Sequence, residues 1–587
     1  MDSYIIPGGF LCSGSQSTDA QTARRRGIIP FRGRTAILHK QIDYLIVGGG
    51  SAGCALAARL SENPTSTVML LEAGPRDSHP LHHVPAGYIL LSPRYTWGYS
   101  STPQQHAGNR SIELQQGKLL GGGSSVNAMV VIRGTPRDYD EWAESFGCRG
   151  WAYRDVLPYF IRSESNADFT DEFHGTGGPL GVSRVVPHAL TEAFVRAAEQ
   201  AGIPHNADFN GPQLAGSGFY QSSIRNARRS STSVAYLRPA LRRPNLTVRS
   251  GVTVHRVVIE SGRAVGVQIA EEGRLTTIRA EREVIVTAGA VGSPKLLLLS
   301  GIGPAAELHR LGIPCGLDLP GVGRNLQDHA RIDLHYELNG PHSLDRYKSR
   351  SARALLGLEY LLFRRGIAAS NNLDGGGFWW SDRSDPDPNI QFFFVPLSGG
   401  VPYPHGCSMN FYELRPRSRG TVCLRSADPL AQPLIDPNYF ADPRDLDRTV
   451  AGIEVCRSIM RQPAMAALIR REYLPGAHLS RPEELARYAR EIVGTGYHLV
   501  GSCRMGVDRD AVVTPELRVR GIAGLRICDS SVMPKLISGN TNAPSIMIAE
   551  KAADLIAGRP PECERAGYAG QRQSSPENAA TDPVELT

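Results

Sequence analysis

"DYLIVGGGSAGCALAARLSENPTSTVMLLEAG", residues 43–74, decides the fold. Residues 43–47 open a short apolar run of the kind that forms a strand buried in a parallel sheet. Three glycines follow as G-x-G-x-x-G at Gly48, Gly50 and Gly53, and an alanine-rich helical stretch comes next. Gly48 permits a tight turn, and Gly50 lets the backbone approach a pyrophosphate. Gly53, beside the small Ala55 and Ala57, allows the helix to lie close on the sheet. The pyrophosphate would meet free N–H groups at the positive end of the helix dipole, around Ser51 and Ala52. A second apolar strand, "TVMLL", ends at Glu72, whose carboxylate is placed to accept from ribose hydroxyls. An acid there rather than an arginine argues against a 2′-phosphate on the cofactor. Strand, turn, helix, strand and acid in that order predict a Rossmann-type dinucleotide site, without separating NAD from FAD.

The rest of the composition sets the frame. A chain of 587 residues exceeds what one hydrophobic core serves, so two domains or one composite unit are expected. Hydrophobic residues make up 41% and charged residues 21%, as in ordinary globular proteins. No apolar run approaches the roughly 18 residues that span a bilayer. Of the net charge of +7, residues 1–40 supply more than half, with six Lys or Arg against two acids, so no nucleic-acid partner is implied. Those residues read as a disordered leader, since "GIIPF" behind "ARRR" is too short for a twin-arginine export signal. Ten cysteines, none at C-x-x-C spacing, form neither a disulfide framework nor a metal site, and point to a reducing, cytoplasmic setting with peripheral contact at a membrane left open.

A second glycine-rich segment, "GKLLGGGSSVNAMVVIRGTPRDYDEWA" (117–143), supplies backbone able to lie flush against a flat or anionic ligand. Together with "TAGAVGSPKLLLLSGIGP" (287–304) it resembles the two signatures of the glucose–methanol–choline oxidoreductases. "GVGRNLQDH" (321–329), "YHLVGSCRMG" (497–506), "LRICDSSVMP" (525–534) and "SGNTNAPSIMIAEKAADLI" (538–556) follow in the family's order, and the chain is most similar to the choline dehydrogenase branch. The resemblance implies an α/β FAD-binding Rossmann-type domain combined with an α+β substrate domain on an antiparallel sheet. It also implies cofactor contacts at Ala73, Lys118, Gly122, Ser125, Ala128, Met129, Val130, Val254, Ala288, Asp529, Ser530, Asn540 and Thr541. Some relatives attach FAD covalently through a histidine in the first signature. The matching position here is Asn127, which cannot form that bond, so FAD is expected to be non-covalent. Val131 stands where an aromatic is usual.

The expected cofactor domain is discontinuous, over 41–160, 246–330 and 491–558, with 161–245 and 331–490 forming the substrate domain and 559–587 a flexible tail. "LTVRSGVTVHRVVIESGRAVGVQIA" alternates like antiparallel strands. In "VTAGAVGSP" a turn at Ala288 and Gly289 precedes a helix that Ser293 would cap, with Pro294 at its first position. The aromatics Phe378, Trp379, Trp380, Phe392, Phe393 and Phe394 read as core. Asp374 stands near an acid that choline-branch relatives could use for a cationic substrate, although a hydrogen-bonded turn acid is the ordinary explanation.

His498, isolated in "GTGYHLVGSCRMG" (494–506), would on composition be a satisfied core histidine. The chemistry of alcohol oxidation gives it another role: a hydride can leave the alcohol carbon only if the hydroxyl proton is also removed, and a neutral imidazole suits that task. His498 and Asn542 match the family's catalytic His–Asn pair. The resemblance therefore implies oxidation of a small, aliphatic, aryl or choline-like alcohol, a primary one expected, to the aldehyde. His498 acts as base, Asn542 orients the oxygen, and oxygen or a quinone-like molecule accepts the electrons. Asn542 also reads as the cap of a helix starting after it. The same family includes hydroxynitrile lyases and a fatty acid photodecarboxylase, which stay open as alternatives.

Overall fold

The computed structural model describes residues 41–565, apart from 272, 400 and 401. The leader over 1–40 and most of the tail lie outside the described residues.

The first strand, Tyr44–Val47, is buried along its whole length, with Leu45 and Ile46 wholly inaccessible to solvent. Apolar side chains on both faces of a strand suit a parallel sheet covered on both sides. Around this strand a five-stranded sheet forms in the spatial order Leu246–Ser250, Val68–Glu72, Tyr44–Val47, Glu283–Val286, Leu525–Ile527, every neighbouring pair parallel. The alternation of 246–250 therefore serves a parallel edge strand and not the expected antiparallel one. The antiparallel pairing begins after it, in a three-stranded sheet of Val254–Glu260, Arg263–Glu271 and Arg274–Arg279.

A second, seven-stranded sheet is antiparallel throughout. Its main path runs Ile469–Leu474, Ala330–Leu338, Gly406–Glu413, Ile390–Val395, Gly375–Trp379, Gly216–Phe219, and Gly494–Thr495 pairs beside Ala330–Leu338. One hydrophobic core surrounds the parallel sheet, and a second surrounds this one, with Phe392 and Phe394 inside it. Phe378 and Phe393 belong to a smaller cluster with Tyr220, while Trp379 is only partly buried against the second core.

Two helix starts differ from the sequence reading. The helix after the Glu283–Val286 strand spans Gly289–Leu299 and so begins before Ser293; Pro294 sits inside it. Proline has no N–H to give the Ala290 carbonyl, and the Ser502 hydroxyl donates there instead at 2.5 Å. Ser293 is turned to the Asp529 carboxylate, 2.6 Å away. The last long helix spans Asn542–Ala557, so Asn542 is its first residue and Thr541 its cap position. The tail also keeps some order at its start, where Glu562–Arg565 forms a short helix and Glu562 accepts from Arg162 at 2.6 Å.

The Asn542–Ala557 helix is buried almost all round, including Glu550. That carboxylate accepts from Arg59 on the Ser51–Leu60 helix, from Arg162, and from the Tyr236 hydroxyl. Removing it takes one buried carboxylate from two guanidinium groups, of which Arg59 keeps Glu62 and Arg162 keeps Asp554 and Glu562. Glu550→Ala is expected to cost about 2 kcal/mol of stability through the charge-assisted hydrogen bonds it removes, seen as a lower urea midpoint; an unchanged midpoint would show that the cluster contributes nothing net.

Candidate active site

A cavity of about 920 Å³ lies between the C-terminal rim of the parallel sheet and one face of the antiparallel sheet. Its cofactor half is built on glycine contacts. Gly48 has φ +110°, and a Cβ on Gly53 would stand 1.9 Å from the Gly48 carbonyl oxygen. Gly53 thus lies behind the cavity wall and sets the helix on the sheet, while Gly48, Gly50, Ser51 and Ala52 line the cavity. The helix from Ser51 has no side-chain cap, which leaves its first N–H groups for an anion. Gly122, from the second glycine segment, meets the first: a Cβ there would be 2.7 Å from the Gly50 Cα.

Glu72 lines the cavity with both carboxylate oxygens engaged, one on the Gly49 N–H and one on the Gly74 N–H, each at 2.7 Å. Burial pushes this carboxyl up to about 7, against the pull of those N–H groups and of Lys118. Ala73 and Lys118 lie beside it on the wall, with the Lys118 ammonium 4.5 Å from the centre of the Trp97 ring. Val254 and Ala288 line the same half. Asp529 and Ser530 do so too, and Asp529 caps the Gly289–Leu299 helix through the Gly289 N–H at 3.0 Å.

The loop of the second glycine segment contributes Asn127, Ala128, Met129 and Val130. Met129 holds φ +66°, a conformation that costs a residue with a side chain about 1 kcal/mol. The Asn127 oxygen accepts from the Met129 N–H and from Arg229, at 3.1 and 2.8 Å. Arg229 is fully buried, and burial pushes its guanidinium down to about 9. Ser125 departs from expectation. It is buried outside the cavity wall, with its hydroxyl on the Leu120 carbonyl at 2.9 Å, because it closes the turn that presents its neighbours. Val131 packs in the core around the parallel sheet.

At the other end of the cavity stands His498. The preceding Tyr497 has φ +64°, and the His498 N–H donates to Asp328 at 2.8 Å. Asp328 also accepts from the hydroxyls of Tyr439 and Thr495, each at 2.5 Å. The imidazole's partners define its tautomer. His329 Nε2 lies 3.2 Å from the Leu414 carbonyl oxygen, which can only accept, so His329 carries its proton there. Burial holds His329 well below its ordinary pKa, so the ring is neutral and its Nδ1 is an acceptor. His498 Nδ1, 2.8 Å away, therefore donates to it. Burial pushes His498 down to about 3, so that ring is also neutral and its Nε2 keeps a lone pair. Asn540 Nδ2 donates to this nitrogen at 3.0 Å, and Gln391 fixes the Asn540 amide by donating to its oxygen at 3.1 Å.

The amide in contact with His498 is thus Asn540. Asn542 also lines the cavity, beside Thr541, and its oxygen accepts from Ser51 at 2.8 Å, which ties together the starts of two helices. Asp374 lies off the cavity, where it accepts from the His188 N–H and the Thr191 hydroxyl at 2.7 and 3.1 Å and so holds the start of the Ala189–Gln200 helix. His329 closes the 321–329 motif, which by itself gives it no role. Nothing in the sequence marks Gln391, which alternates into place on a strand 107 residues before His498. Among the described residues nine cysteines are free, and no helix is long and apolar enough to cross a membrane.

The cofactor half fits FAD on the structure's own terms: two touching glycine turns, an uncapped helix start, and a buried acid at the end of the second strand. The pattern of the GMC oxidoreductase family matches residues 42–331 and 416–549. An alcohol dehydrogenase (acceptor) of Pseudomonas putida is 43% identical over 526 residues, which cover 88% of this chain and 95% of that protein. An oxygen-dependent choline dehydrogenase of Brucella suis is 42% identical over 531 residues, 89% of this chain and 96% of that one. Among solved structures, pyridoxine 4-oxidase from Mesorbium loti superposes with a TM-score of 0.81 at 30% identity, covering 89% of this chain and 100% of that chain. On these matches the chain belongs to the GMC oxidoreductase family.

Proposed function

We propose that this FAD-dependent enzyme, which oxidises alcohols, takes a neutral primary alcohol and converts it to the aldehyde with His498 as the base. The observation that carries the reading is the lone pair on His498 Nε2, fixed from behind by His329 and facing the cavity beside Asn540. FAD, held without a covalent link, supplies a two-electron hydride acceptor. His498 Nε2 takes the hydroxyl proton, and its Nδ1–H bond to His329 keeps the ring from turning. Asn540 and Asn542 offer amides that can hold the substrate oxygen without competing for its proton.

The charge of the substrate half supports a neutral alcohol over a cationic one. Its acid is Asp333, which already pairs with Arg331 at 3.2 Å and accepts from Asn410. The other acids on the wall, Glu72 and Asp529, belong to the cofactor half. Phe393, Val395, Leu373 and Leu397 make much of the remaining surface apolar.

Three measurements test this reading. Anaerobic mixing with a panel of alcohols is expected to bleach the flavin absorbance with straight-chain primary alcohols and not with choline; the reverse order would overturn the substrate class. His498→Ala is expected to keep its flavin and lose roughly 10²–10⁴-fold in kcat/KM, with Asn540→Ala losing at least about tenfold. If only Asn542→Ala lowers turnover, the amide has been assigned to the wrong residue. Gly50→Asp should purify without flavin, since a carboxylate would meet the pyrophosphate; a normal flavin-to-protein absorbance ratio would remove the cofactor assignment.

A further inference from the structure

One helix does not behave as a surface helix of a free-standing protein. Arg350–Phe363 exposes Leu355 by 67%, Leu358 by 52%, Leu361 by 66% and Leu362 by 64%, and these recur at helical spacing on one face. The opposite face holds the helix to the body through Tyr360, which is buried and donates to the Ala227 carbonyl at 2.9 Å. A second exposed apolar pair, Ile89 and Leu90, lies on the Pro85–Leu90 turn. That turn packs against Ile367–Ala369, which packs in turn against the leucine-bearing helix. Ile89 also lines the cavity, so the apolar surface reaches the cavity mouth.

The charge around this surface is mostly of one sign. Arg350, Arg353 and Arg364 on the helix and its end, and Arg225 and Arg228 on the hairpin beneath Tyr360, are exposed. None of the five forms an ion pair among the described residues, and the helix's one acid, Glu359, pairs with Arg365 at 3.4 Å. A second copy docked by a two-fold axis would bring these cations against their own equivalents, which opposes self-association. A leucine stripe rimmed by arginine suits the boundary between acyl chains and anionic headgroups.

We propose that the Arg350–Phe363 helix docks the protein on a bilayer surface containing anionic lipid, with the cavity mouth held beside the membrane. This goes beyond the assigned reaction and does not rest on it.

Flotation of the full-length flavoprotein with vesicles tests it. The protein should float with vesicles of equal parts phosphatidylcholine and phosphatidylglycerol, much less with phosphatidylcholine alone, and less as salt is raised. Leu358→Asp with Leu362→Asp is expected to lower this partition by about tenfold or more, with flavin content and turnover of a water-soluble alcohol unchanged. A second variant, Arg353→Glu with Arg364→Glu, leaves the leucines in place and should lose the preference for phosphatidylglycerol. Three results would overturn the proposal. The wild-type protein could stay unbound with both vesicles, or both variants could float as it does, placing the contact elsewhere on the chain. Light scattering could also show a dimer that the leucine variant dissolves, making a second copy the occupant.

Discussion

The Thr287 hydroxyl donates to the Gly48 carbonyl oxygen at 2.6 Å, and Gly53 leaves room for both. This three-way contact joins the turn after the first strand, the start of the first helix and the end of the Glu283–Val286 strand. A single methyl on Gly53 would separate them. Everything on the cofactor side follows from the contact: the helix N-terminus aims along the sheet rim, and the Gly289 turn stands next to it. The Asn542–Ala557 helix packs against the first helix closely enough for Ser51 to reach Asn542.

The His498 end of the cavity depends on a different kind of order, a directed line of hydrogen bonds. It runs from Gln391 through Asn540, His498 and His329 to the Leu414 carbonyl. The carbonyl at its end can only accept, and with both rings neutral the proton positions along the line follow from it. Burial reinforces the arrangement, because a charged imidazole in this setting would lose its hydration without gaining a carboxylate partner. Asp328, the nearest acid, is spent on the backbone of His498 and on two hydroxyls. The result is a neutral imidazole whose Nε2 lone pair accepts from Asn540.

Local sequence placed most residues of the glycine-built half on the cavity wall, since each lies within a turn or a strand end that its neighbours define. Glu72 could be placed from the spacing of the strand that ends in it. Ser125 could not, because which of two adjacent serines faces a cavity depends on one turn of backbone. His498 stands out in the sequence as a lone histidine among small residues, but its partners do not. His329, Gln391 and Leu414 come from separate strands and loops, and only the register of the antiparallel sheet brings them together. Asn540 and Asn542 lie two residues apart at a helix start, and the rotation of that first turn, invisible to spacing, decides which amide reaches the imidazole.

The parallel sheet pairs Ile46 with Ile285 and Val286 with Ile527. Its strands are therefore drawn from nearly the whole length of the chain, and the helix that carries Asn542 follows the last of them. During synthesis the first glycine turn emerges with only the Val68–Glu72 strand close behind it, and the other three strands of the sheet begin at residues 246, 283 and 525. For that interval the two early strands have only each other to pair with, and completing the sheet costs the closure of very long loops. The lining of the cavity and the hydrogen bond on His498 are completed in the same final stretch, so a chain cut short before residue 540 holds neither in finished form.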